Sequence, residues 1–276
     1  DTPNTVPPVP ALVPVGDWSR LRLVVEGVPL VEGETLAETR VLDFRRGVLL
    51  DDWAQRLPAG AVVRGQELRL VSQAQRALGL QLARFVIDRD GLAISLEADV
   101  ELAGQGMAPQ RLAPDLAVWR TETSGQLLAM AAACRLRIAG QDMPAARVFP
   151  FRWRWSWRSV AGQVVDCERL VALARGDDAA HDPAPRATAA LRSASFLGWR
   201  AALVAHEEAW AVRWRDADVV LAGEPALQRA LRFSIYHLLS AANPDDPLVS
   251  VGARGLTGDV YLGHVFWDTE IYLLPF

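Results

Sequence analysis

Lysine is missing from this chain: all 29 basic residues are arginine. That excludes a lysine Schiff base and a lysine-bearing phosphate loop from this segment, because both need the ε-amine. A GC-rich coding bias explains the pattern more simply than any functional demand. Cysteine is nearly as scarce. Cys134 and Cys167 are too few for a disulfide framework and have no histidine neighbours at zinc-ligand spacing, so no metal site is expected. Each lies in an apolar, strand-like stretch, which predicts buried free thiols of a cytoplasmic protein. No apolar run approaches the ~20 residues that cross a bilayer. The Pro-rich, polar start, residues 1–14, lacks the basic and apolar regions of a signal peptide. With a net charge of −4 and no basic run, neither nucleic acid nor an anionic membrane is expected as the main partner. Several catalytic signatures are also absent. There is no Gly-x-Ser-x-Gly elbow, His206-Glu207-Glu208 lacks the second histidine of a zinc-protease helix, and Gly252-Ala253-Arg254-Gly255 has neither the spacing nor the lysine of a phosphate fingerprint.

What remains is a chain of 276 residues, 51% hydrophobic and 22% charged, enough for one large domain or two ordinary ones. From about Leu21 to Leu173 its texture is β. Leu92, Ile94, Leu96, Ala98 and Val100 alternate strictly with Ala93, Ser95, Glu97 and Asp99, the period of a half-buried strand. Similar runs recur at Leu21–Val25, Val41–Leu50, Val62–Val71, Leu80–Ile87, Leu127–Ile138, Arg147–Ser159 and Val164–Leu173. Turn formers such as Asp88-Arg89-Asp90-Gly91 separate them, predicting an antiparallel sandwich. Phe151, Trp153, Trp155 and Trp157 alternate with Arg152, Arg154, Ser156 and Arg158. This reads as a strand with aromatics inward and arginines outward rather than a base-stacking surface. Asp51-Asp52 and Asp245-Asp246 read as exposed turn acids.

Beyond Gly176 the texture changes. The Ala-rich stretch Arg186 to Arg215 predicts one or two linker helices, with Gly198 as the break and Trp199, Trp210 and Trp214 as packing glue. Glu224-Pro225 opens a further helix with an apolar stripe at Leu227, Leu231, Ile235, Leu238 and Leu239, closed by Asn243-Pro244. His237, beside the stripe, reads as structural. The last segment concentrates the chemistry. Between Arg254 and Glu270 lie Gly255, Gly258 and Gly263, three aromatics, His264, Asp259, Asp268 and Glu270. Aromatic faces beside carboxylates suit a sugar, with its apolar ring face and its hydroxyls. Asp268 and Glu270 are too close in sequence to be a natural acid/base couple across a glycosidic bond, and Asp268 reads instead as a hydroxyl acceptor. His264 either donates to a substrate oxygen or braces the loop.

The strings Ala253-Arg254-Gly255-Leu256-Thr257-Gly258 and Gly263-His264-Val265-Phe266-Trp267-Asp268-Thr269-Glu270-Ile271-Tyr272-Leu273-Leu274-Pro275 closely resemble glycoside hydrolase family 65. Weaker similarity runs through Leu42-Asp43-Phe44-Arg45-Arg46-Gly47-Val48-Leu49, Ala205-His206-Glu207-Glu208-Ala209-Trp210 and Gly223 to Leu239. The family contains maltose, kojibiose, nigerose and trehalose phosphorylases and some α-glucoside hydrolases. The resemblance implies a multidomain β + α fold. Residues 1–177 would form an incomplete N-terminal antiparallel super-sandwich, 178–217 a helical linker, and 218–276 the beginning of a truncated (α/α)6 barrel. It implies an inverting enzyme whose glutamate acid lies in a Gly-Pro-Asp-Glu-Tyr-like motif absent from this chain, as is the phosphate-binding Ser/His/Lys segment, so no catalytic residue is expected here. Tyr261, Trp267 and Asp268 match residues that hold the non-reducing glucose; Arg254, His264 and Glu270 would support the loop. The implied partners are a disaccharide and inorganic phosphate as co-substrate, with no cofactor and a homodimer left open. Hydrolysis is the alternative within the family, and a non-catalytic carbohydrate-binding module the alternative outside it.

Overall fold

The computed structural model describes residues 13, 15–58, 60–101, 106–148, 150–176, 181–246, 250–256, 261, 264–267 and 271. In chain order the strands are β1 (Leu21–Val25), β2 (Val28–Pro29), β3 (Glu34–Asp43), β4 (Val48–Arg56), β5 (Val62–Val71), β6 (Leu78–Ile87) and β7 (Ala93–Asp99). They continue as β8 (Met107–Ala113), β9 (Leu116–Thr121), β10 (Leu127–Ile138), β11 (Gln141–Met143), β12 (Ala146–Val148), β13 (Arg152–Arg158) and β14 (Val164–Arg175). Two helices follow, α1 (Ala184–Ala217) and α2 (Pro225–Ala241). A smaller sheet has the order β12-β13-β7-β1-β2 and a larger one β3-β4-β5-β6-β14-β10-β9-β8, with β11 on β10. The pairings between described strands are antiparallel, as short runs with tight turns require. An antiparallel β region followed by helices is therefore the architecture.

Side-chain alternation decides which face each strand buries. In β14, Val165, Cys167, Arg169 and Val171 point one way and are buried. In the smaller sheet Ile94, Leu96, Trp153 and Trp155 are likewise buried, and Phe85 of β6 meets Trp157 of β13 with ring centroids 6.3 Å apart. The opposite face of the large sheet carries Val48, Leu70, Leu80, Leu170 and Ala172, which pack with Ala184, Ala187, Leu191 and Ala194 of α1. The large sheet thus buries both faces along part of its length. The arginines of β13 behave as expected: Arg154 reaches Glu97 at 2.5 Å on the outer side, while Phe151 is wholly enclosed.

A fully buried cation ties the two sheets together. The Arg169 guanidinium donates to the carbonyls of Trp18, Arg20 (2.8 Å) and Asp99 (3.3 Å). Those carbonyl dipoles stand in for water around a charge that would otherwise be costly to enclose. Nearby, the Gln81 amide donates to the Ser19 carbonyl (2.6 Å) and to Glu67 (2.8 Å).

Four sequence expectations need correction. Val41–Leu50 is no single strand. Asp43 accepts from the N–H groups of Arg45 and Arg46 and turns the chain there, so the run spans the tip of the β3–β4 hairpin. Arg147–Ser159 is also broken, at Phe151 (φ 52), into β12 and β13. Asp51 and Asp52 are not turn acids, since both lie inside β4. Asp51 is only 7% exposed and is held by Arg40 (2.5 Å) and Arg69 (2.6 Å). Burial acts to raise its pKa, and the two guanidiniums outweigh that, leaving the carboxyl below its ordinary range. Finally, Cys167 is buried as expected, while Cys134 is half-buried; both are free, with their sulfurs 3.7 Å apart.

The described chain clusters into two compact units, and the division falls within α1, between Ala209 and Trp210. Helix α1 carries a non-helical residue, Gly198 (φ 81, ψ 159), at the expected break. In the first unit, His206 of α1 is fully buried. Its Nε2 donates to the Gly47 carbonyl (3.1 Å) and its Nδ1 accepts from the Gln73 N–H (3.1 Å). Burial lowers its pKa from an ordinary value of 6.5 and keeps it neutral. Arg46 pairs with Glu207 at 2.7 Å beside it.

Candidate functional site

The second unit begins with a small aromatic core. Trp210, only 1% exposed, stacks on Tyr236 of α2 (4.9 Å) and neighbours Trp214 (6.3 Å). Ile235, Leu239 and Ala217 complete the cluster. Helix α2 starts where Glu224-Pro225 predicts, with Pro225 in its first turn, and ends at Ala241. Only the C-terminal half of its apolar stripe is buried, and Leu227 is exposed. His237 packs edge-on against Phe233 (4.4 Å) and Tyr236 (5.3 Å), a structural setting.

Three backbone hydrogen bonds close the loop after α2 on itself. Gly255 N–H donates to the Gly252 carbonyl (2.8 Å), Ala253 N–H to the His264 carbonyl (3.1 Å), and His264 N–H to the Tyr261 carbonyl (2.9 Å). The Ala253–His264 bond joins the arm carrying Arg254 to the arm carrying His264, which explains how residues ten apart share one loop. Gly255 has φ 56, and a Cβ there would sit 3.1 Å from the Ala241 methyl at the end of α2. Tyr261 also takes a left-handed backbone (φ 68), unusual for a bulky residue and costing on the order of 1–3 kcal/mol.

The aromatic side chains of this loop face outward. Trp267 is 70% exposed and Tyr261 58%. Tyr261 and Phe266 meet edge to face at 5.8 Å, so Phe266 is a supporting ring that residue-type reasoning did not single out. Its signal was available, in its place beside Trp267 within the motif. The structure therefore brings together the arms bearing Arg254, Tyr261, His264 and Trp267. Asp268 and Glu270 lie outside the described residues. Chemically, an exposed indole on this loop offers a stacking plate, and the flanking exposed His264 and Arg254 are polar.

Among the described residues no group of three or more His, Cys, Asp and Glu side chains is placed to hold a metal ion. No helix among them is long and apolar enough to cross a membrane.

Residues 9–213 match the profile of the glycosyl hydrolase family 65 N-terminal domain, and residues 232–276 that of the family 65 central catalytic domain. A kojibiose phosphorylase from Caldanaerobacter subterraneus subsp. tengcongensis is 29% identical over 297 residues, covering 96% of this chain and 38% of that protein. An uncharacterized glycosyl hydrolase from Mycobacterium leprae is 32% identical over 292 residues, covering 96% and 36%. The solved structure of a candidate kojibiose phosphorylase from human microbiome superposes with a TM-score of 0.83 at 18% identity, over 98% of this chain and 38% of that one. The chain thus spans less than two-fifths of the length of these relatives. With most of its length matched by one family profile and the same fold in a solved structure, this chain belongs to glycosyl hydrolase family 65.

Proposed function

We propose that this chain is the N-terminal part of an inverting α-glucosyl disaccharide phosphorylase. In this reading residues 1–177 are the sandwich domain, 178–217 the linker and 218–276 the opening of the catalytic barrel. The observation that carries it is the relationship to a kojibiose phosphorylase across 96% of the chain. The exposed Trp267, on an internally hydrogen-bonded loop inside the catalytic-domain match, supports it.

The proposed reaction splits one glycosidic bond. A glutamic acid, supplied by sequence beyond this segment, protonates the glycosidic oxygen as the C1–O bond breaks. A phosphate oxygen attacks C1 from the opposite face, giving β-glucose 1-phosphate and releasing the second sugar. Inorganic phosphate is thus a co-substrate. This segment would supply orientation rather than proton transfer. Trp267 packs on the apolar ring face, Tyr261 borders the same sugar, and Asp268 accepts from its hydroxyls. Arg254, His264 and Glu270 support the loop. Holding the ring keeps C1 in line between acid and phosphate, and positioning of that kind is worth several powers of ten in rate.

Hydrolysis is the rival reading, since a relative of similar identity is named only as an uncharacterized glycosyl hydrolase. The test uses the longer enzyme that carries this segment, assayed on kojibiose, maltose and trehalose with and without phosphate. Phosphate-dependent release of β-glucose 1-phosphate is expected, whereas equal glucose release without phosphate would establish hydrolysis instead. In the same enzyme Asp268→Ala should lower kcat/KM by ~10²-fold or more. An unchanged value would remove Asp268 from the site.

A further inference from the structure

We propose that the helix-covered face of the large sheet carries a second binding site, a groove for a neutral carbohydrate chain, outside the Trp267 loop. Helix α1 seals the part of that face bearing Val48, Leu70, Leu80 and Leu170. Further along the strands the face opens into a groove of about 610 Å³ bordered by Trp199 and Arg200, within the usual range of small-molecule sites.

Strand register gives the groove two parallel rows. Val41, Leu50, Leu68 and Leu82 are consecutive partners across β3, β4, β5 and β6 and make an apolar row in which the three leucines are half-buried at the edge of the helix-covered core and Val41 is exposed. The next row is polar throughout: Thr39, Asp52, Gln66, Arg84, Asp166 and Arg137 are successive partners across six strands. At ~4.8 Å per strand that row runs for about 24 Å, long enough for several sugar rings in line. An apolar strip beside a continuous polar strip matches the two sides of a pyranose, its C–H face and its hydroxyl rim.

Charge narrows the ligand class. Gln66 donates to Asp52 at 2.8 Å, and Arg84 pairs with Asp166 at 2.6 Å. Acids and bases alternate along the row, so neither an anion nor a cation gains a net attraction. These groups also stay accessible, with Arg84 61% and Asp166 37% exposed. A paired carboxylate still has acceptor sites and a paired guanidinium still has donors. A hydroxyl, which donates and accepts at once, can bridge such neighbours without displacing either. At one side Trp199 is half-buried, with the Arg200 guanidinium 4.4 Å from its ring centre, so the wall offers an apolar plate and further donors.

The choice of an α-glucan as first probe rests on the proposed activity; a β-linked probe keeps the groove testable independently of it. Calorimetric titration of the longer enzyme with maltoheptaose and with cellohexaose should show binding of at least one. Asp52→Ala combined with Gln66→Ala leaves the Arg84–Asp166 pair intact, so folding is retained, and should weaken that binding about tenfold, the effect of ~1.4 kcal/mol. Arg84→Ala serves as an independent second variant. Turnover of the disaccharide should be unchanged in both, and Trp267→Ala should leave oligosaccharide binding at the groove intact. Binding of neither probe, undiminished binding by both groove variants, or loss through Trp267→Ala alone would overturn the proposal. Groove binding without phosphorolysis would refute only the proposed activity.

Discussion

Two glycines show how one residue type serves opposite needs. Gly65 has Trp53 as its register partner, and the indole lies across it. A Cβ there would come within 2.1 Å of the ring. Gly65→Ala is therefore expected to cost about 1–3 kcal/mol through overpacking, read as a lower unfolding midpoint in urea. In a Trp53→Ala background the loss should largely vanish, and a loss of equal size there would exclude the steric explanation. Nothing crowds Gly198, where a Cβ would meet no atom within 4 Å, but its φ and ψ lie where only glycine is comfortable. Neither reason is visible in the letter G itself. His206 makes a related point. The sequence shows a histidine beside two glutamates, and only the fold shows that its two ring nitrogens serve two separate turns. Because burial lowers its pKa, the neutral form is the one the folded state holds. The stability it provides is then fully present above pH ~6.5 and is lost as pH falls below that value. Thermal midpoints should drop between pH 7 and pH 5 for the unaltered chain and less steeply for His206→Gln. Parallel curves would show that the imidazole does not titrate against folding.

At the scale of elements, legibility followed periodicity. β1 and the ends of α2 fall where the pattern puts them, because alternation and a proline-led helix start are local signals. The mistaken run at Val41–Leu50 failed because its apolar pattern continues through the turn made by Asp43 and Gly47, with no proline to mark it. β8 and β9 escape the pattern because Met107–Ala113 is largely exposed and carries a proline, and Leu116–Thr121 is only six residues long. In α1 the glycine at 198 marks the break. Gly198→Ala should cost about 1–3 kcal/mol, the strain of a non-glycine residue in that backbone region, measurable by thermal melting. An unchanged midpoint would mean that the two helical segments straighten without penalty. The family-like stretches Leu42–Leu49 and Ala205–Trp210 are far apart in sequence. In the fold they meet, through His206 on Gly47 and Glu207 on Arg46.

For the whole molecule, the decisive fact is coverage: one family profile spans residues 9–213, a second begins at 232, and the chain accounts for 38% of a kojibiose phosphorylase relative. If the proposed reaction is right, residues 1–276 by themselves should show no phosphorolysis of kojibiose, maltose or trehalose, since the acid motif is not among them. Measurable β-glucose 1-phosphate from this segment alone would place the proton donor within it and overturn the division of labour proposed here.

By itself the sequence determined the antiparallel β region, the helix broken at Gly198 and the family, because strand alternation, helix signals and a long motif are all local in the chain. It also singled out the loop bearing Tyr261 and Trp267, since aromatics and glycines concentrate there. Tertiary structure alone decided that Asp51 is buried between two arginines and that His206 fastens α1 to the turns at Gly47 and Gln73. It alone aligned six separated polar residues into one row. Such features depend on register and packing between distant segments, and no single stretch of chain records which partner lies across from it.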